Sequence, residues 1–88
     1  MLNPDLKKSF IEFHANNNMH VILLIKEEIV NNANRGRYVT RIAQDNFKQM
    51  NGTGDFDSFC QYVKIYFENQ GLKVESYSSW ITLMINFV

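Results

Sequence analysis

The closing nine residues constrain this chain more than any other stretch, because Ile81, Leu83, Ile85 and Phe87 alternate with Trp80, Thr82, Met84 and Asn86. A two-residue period puts the first set on one side of a β-strand and the second set on the other. One side of that strand belongs in a core. Residues 72–77 read as its hairpin partner, with Leu72 and Val74 inward, Lys73 and Glu75 outward, and Ser78-Ser79 at the turn. A third strand is predicted over residues 37–43, where β-branched and aromatic residues alternate. It sets Tyr38, Thr40 and Ile42 on one face and Arg37, Val39 and Arg41 on the other.

Elsewhere the apolar period is helical. Over residues 55–70, Phe56, Phe59, Cys60, Val63 and Phe67 recur at spacings of three and four, with Asp55 placed to cap and Gly71 to stop the helix. At the start, Asn3-Pro4 opens a helix whose face is Leu6, Phe10 and Phe13 with Ile11 at its edge. The run Asn16-Asn17-Asn18 ends or bends it, the alternative being one continuous long helix. Residues 19–33 carry a stripe of Ile22, Ile25, Ile29 and Ala33 widened by Val21, Leu24 and Val30, capped at Gly36. An arc that wide predicts the most buried helix of the chain. Residues 44–54 read as loop, with Phe47 and Met50 in a short turn against the core.

Two helices, then β-α-β-β, make a single α+β domain over residues 1–88. Flanking the most apolar strand on both sides gives a three-stranded antiparallel sheet of order 1-3-2, with the helices on one face. The other face then carries Val39, Tyr77, Trp80 and Met84.

The charges exclude one broad class of function. Nine basic and nine acidic residues cancel, so the molecule has no overall field for polyanions. A lone cysteine forms no internal disulfide, and its place on the apolar helix face predicts an inert thiol in a reducing, cytoplasmic setting. No apolar run approaches the length of a membrane span. No catalytic constellation assembles, and neither a cofactor nor a small-molecule substrate is expected. Asn51-Gly52-Thr53-Gly54-Asp55 reads as a turn, since its acid would repel phosphate. His14 and His20 lack ligand partners at metal spacing and are expected at the surface or at helix ends. Asp55 and Asp57 are accounted for by helix-start chemistry.

Two surfaces remain. Arg35, Arg37, Arg41 and Lys48 gather cations about the first strand, which serves either phosphate contact, hence nucleic-acid binding, or protection of an edge strand. Val39, Tyr77, Trp80 and Met84 form an apolar patch for a protein partner or a second copy, unless the first helix folds over it.

The layout also carries a resemblance. A helix closing on Asn32-Ala33-Asn34-Arg35-Gly36, a strand at residues 38–42, a helix closing on Gly71-Leu72-Lys73-Val74 and a final strand resemble small uncharacterised phage and prophage proteins. Those have an aromatic after the glycine and a tryptophan closing the last strand. Here Leu72 follows Gly71 and Trp80 opens the strand. The resemblance implies a phage-encoded cytoplasmic accessory protein and brings no active residues with it.

Overall fold

A computed structural model describes residues 5–87, so the Asn3-Pro4 helix start and Val88 lie outside the described residues. The strands are β1 (Val39–Ala43), β2 (Leu72–Ser76) and β3 (Trp80–Ile85), and they form an antiparallel sheet in the order β1-β3-β2. The helices are α1 (Leu6–Asn17), α2 (Met19–Asn34), α3 (Gln44–Gln49) and α4 (Phe56–Glu68). The α+β class, the two leading helices and the strand order are those that the periodicities predict.

The register explains why β3 is central. Leu83 faces Thr40 on one side and Val74 on the other, and Ile81 faces Ile42 and Ser76. α2 packs on β1 and α4 on β2, so these inward side chains meet Ile22, Ile25, Phe59, Val63 and Phe67 in one buried core. Phe87 was expected on the same inward face, yet it is 78% exposed. β1 begins opposite Met84 and β2 begins opposite Ile85, so nothing lies alongside residue 87 to hold it in the sheet. Its ring meets the edge of Tyr38, another expected inward residue that precedes its strand and is exposed.

The helices show two further corrections. α4 buries six side chains and α2 four, so α4 is the most buried helix. Leu24 and Val30, which widened the α2 stripe, are exposed because α2 contacts only α1 and β1 among its main neighbours. The expected loop after β1 begins as a helix, α3. Asn46 Oδ1 accepts from the Ala43 amide at 2.8 Å, the Gln44 amide donates to the Ser79 carbonyl at 3.0 Å, and Phe47 is buried. α2 ends in the double bond that a left-handed residue permits. Gly36 sits at φ 77°, its amide donates to Ala33, and the Arg37 amide donates to Asn32.

α1 and α2 are separate helices, hinged at Asn18. Its amide closes α1 on the His14 carbonyl at 2.8 Å, and its carbonyl opens α2 by accepting from Val21 and Ile22. The side chain does more. Thr53 N donates to Asn18 Oδ1 at 2.7 Å, and Asn18 Nδ2 donates to Thr53 O at 2.9 Å, clamping the hinge to the loop before α4. Asn18 is fully buried, so its removal leaves buried polar groups unpaired. Asn18→Ala is expected to lower stability by about 1–3 kcal/mol in urea unfolding. Asn17, whose side chain donates to the Phe13 carbonyl on its own exposed helix face, should tolerate alanine within about 0.5 kcal/mol. Equal effects at the two positions would mean that helix propensity, and not the Thr53 clamp, sets the hinge.

Candidate protein-binding face

The side of the sheet away from the helices is built in three cross-strand rows, fixed by the register. Ala43 and Trp80 lie in the first row, with Tyr77 beside Trp80 across the hairpin. Arg41, Thr82 and Glu75 form the second, and Val39, Met84 and Lys73 the third. Odd-numbered residues of β1 and β2 and even-numbered residues of β3 point outward because side chains alternate along each strand. Val39, Tyr77, Trp80 and Met84 therefore do share one face.

That face is open. Trp80 is 41% and Tyr77 45% exposed, and α1 packs against α2 and α4 instead of folding across the sheet. The two rings stack with centroids 5.1 Å apart at 28°, held by a hairpin in which the Tyr77 amide donates to the Trp80 carbonyl at 2.8 Å. Ser78 and Ser79 form the expected two-residue turn without the left-handed residues that such loops favour. Tyr77 Oη donates to Glu75 Oε2 at 2.9 Å, and Lys73 Nζ lies 3.7 Å from Glu75 Oε1. The Tyr77 phenol is pushed up from its ordinary pKa by that bond to the carboxylate, and by the carboxylate's charge. The groove along the face has a volume of about 430 Å³ and combines aromatic, thioether and charged walls.

The cations of the first strand are not brought to one point. Strand parity puts Arg37 on one face with Arg41, but β1 begins at Val39, so Arg37 precedes the strand and does not share its face. Arg35 is the C-cap of α2, and Lys48 lies on α3 beyond the far end of the strand. β1 alone spans about 13 Å from Val39 to Ala43 at the usual rise per residue. Only Arg41 belongs to the outer face, where Glu75 occupies the same row.

Cys60 is buried, and desolvation pushes its thiol up to about 11, so it stays protonated and unreactive. Asp55 caps α4 by accepting from the Ser58 amide at 2.9 Å, and that bond lowers its pKa. Among the described residues no three His, Cys, Asp or Glu side chains are placed to hold a metal ion, and no helix is long and apolar enough to cross a membrane.

His20 is exposed, as expected, with Nε2 3.0 Å from the Asn51 carbonyl. His14 departs from expectation, because it is 2% exposed. It stacks on Tyr62 at 5.3 Å and meets the edges of Phe10 and Phe13. Its protonation follows from its neighbours. Thr53 N fixes which end of the Asn18 amide is oxygen, so the nitrogen end, 2.9 Å from His14 Nδ1, must donate to it. An accepting Nδ1 means a neutral ring with its proton on Nε2.

Compared with protein-family models, with curated proteins and with solved structures, the chain finds no match in any of the three. The outer face and the buried histidine therefore stand on their own chemistry.

Burial lowers the His14 pKa below its ordinary 6.5, the Asp55 charge opposing part of that effect. The unfolded chain thus binds the proton first as pH falls, and the folded state loses stability below about pH 6.5 while keeping it in full above. Urea midpoints at pH 7.5 and 5.5 should differ in the wild-type chain, lower at pH 5.5. The difference should shrink in His14→Phe, because the lowered Asp55 carboxyl titrates only below this window. An unchanged difference in His14→Phe would show that another group carries it.

Proposed function

We propose that this protein is a non-enzymatic interaction module that presents its outer sheet face to a protein partner, whether a second copy or another protein. The observation carrying this reading is the stacked pair Tyr77 and Trp80, left nearly half exposed on a sheet whose other face buries Ile42, Val74, Ile81 and Leu83 in the core. Soluble domains rarely leave large aromatic side chains together in the open, and such groups supply much contact area for little loss of side-chain freedom. Met84 and Val39 extend the patch, and Arg41, Glu75 and Lys73 give it the charged surround typical of docking surfaces. Edge strands β1 and β2 flank the face and offer a second means of attachment.

The likeness in layout to small phage and prophage proteins supports a phage-encoded accessory role in the host cytoplasm. A nucleic-acid role through Arg35, Arg37, Arg41 and Lys48 has less support, because those cations are strung along the strand and the chain carries no net charge.

Trp80 separates docking from folding. Its partial exposure limits the cost of Trp80→Ala to roughly 1–2 kcal/mol, against about 2–5 kcal/mol for the buried control Leu83→Ala. Tagged wild-type and Trp80→Ala chains, cross-linked gently in the cells that express them, should both be folded, and only the wild type should yield a cross-linked species. Cross-links that persist in Trp80→Ala, or a Trp80→Ala chain as unstable as Leu83→Ala, would overturn the reading.

A further inference from the structure

We infer that the partner seated on the outer sheet face is a second copy of this chain, related by a two-fold axis that runs along β3. This rests on the reading of that face as a docking surface and adds its occupant and geometry.

The argument is one of charge placement. In the middle row of the face, Arg41 on β1 and Glu75 on β2 stand on either side of Thr82. Two strand spacings, about 10 Å, separate their backbones, and the two side chains form no ion pair with each other among the described residues. Arg41 makes no ion pair among the described residues, while Glu75 is held by Lys73 and Tyr77 on its own strand side. The row is therefore positive at one end and negative at the other. Two identical sheets packed face to face can be related by an in-plane axis either along the strands or across them. An axis across the strands keeps β1 over β1 and sets Arg41 against its own copy. An axis along β3 carries β1 over β2, so Arg41 of each copy lies over Glu75 of the other, twice, by symmetry. Only the second arrangement is self-complementary.

The same axis accounts for the apolar groups. Trp80 meets Trp80 and Met84 meets Met84 across it, while Tyr77 covers the small Ala43. Lys73 falls over Val39, where its stem can lie flat with its amine kept near Glu75. Aligned sheets in sandwiches cross at about 30°, which the twist of strands of this length accommodates. The face is small. Three strands of five or six residues present a rectangle of about 14 by 18 Å, so the two copies together cover about 500 Å², an area that supports only a weak, transient contact. A reversible, concentration-dependent dimer follows.

Sedimentation of the purified full chain from about 1 μM to about 1 mM should show a monomer–dimer equilibrium. Arg41→Glu alone and Glu75→Arg alone should each weaken self-association at least about tenfold, since both reciprocal pairs become repulsive. An equimolar mixture of the two singly substituted chains should regain dimerisation as a heterodimer, because both contacts are then attractive. Circular dichroism melts confirm that each variant is folded before it is scored.

A monomer at all concentrations overturns the second copy as occupant but leaves the docking face to be judged by the cellular cross-linking. A dimer lost in Trp80→Ala but indifferent to both reversals overturns this geometry and keeps the face. A double variant Arg41→Glu/Glu75→Arg that dimerises only when mixed with the wild type, and not by itself, would place the axis across the strands and overturn the proposal.

Discussion

A central strand bonded on both edges but covered on only one face is the constraint on which this molecule is arranged. The backbone of β3 is committed to β1 and β2, so the two faces of the sheet are set by side chains alone. The inner face resolves by exclusion of water, with Ile81 and Leu83 among the most completely buried residues in the chain. The outer face has no such cover. Thr82 is buried at its middle, where flanking rows shield it without a second layer. Trp80 and Met84 on either side of Thr82 meet the solvent boundary.

The helical layer packs on this sheet through the shared apolar core, and polar contacts fix the arrangement at its corners. Asn32 Nδ2 donates to Thr40 Oγ1 at 3.0 Å where α2 turns into β1, and the Gln44 amide joins the start of α3 to the β2–β3 hairpin through Ser79. Asn18 joins the α1–α2 hinge to Thr53 before α4. No buried side-chain nitrogen or oxygen among the described residues lacks a partner. Such bonds contribute little each but are costly to leave unmade, so they act against alternative arrangements of the same apolar surfaces. The close approach of Gly52 to Phe47 works in the same direction. A side chain at Gly52 would fall onto the Phe47 ring that α3 sets in the core.

These tertiary contacts also mark where the sequence stops being readable. Strand and helix periods identified the inward side of β3 and the buried face of α4, because a two- or 3.6-residue repeat is a local property. The outward set Val39, Tyr77, Trp80 and Met84 was legible for the same reason, since parity along a strand needs no knowledge of its neighbours. His14 was not. A lone histidine in a helix reads as polar, and what buries it is Tyr62, 48 positions later, with an amide whose orientation is fixed by Thr53. Phe87 fails in the opposite way, because its alternation is sound but its strand has run out of neighbours. The row that places Arg41 across from Glu75 was invisible as well. It depends on two pairing offsets at once, and nothing in the spacing of residues 41 and 75 encodes them.

The open face and the buried histidine belong to one arrangement. α1 is an element with apolar surface to spare for covering the sheet, for it carries Leu6 and Phe13 on an exposed side. What holds it elsewhere is the set of contacts around His14 and Asn18, which seats α1 on α2 and α4 and closes the α1–α2 hinge in a fixed bend. Moving α1 onto Trp80 would expose a stacked imidazole and leave both polar groups of Thr53 without their present partners. Packing within the helical layer thus keeps the outer face clear, and any cover for Trp80 and Tyr77 has to come from a surface that this helical layer does not supply.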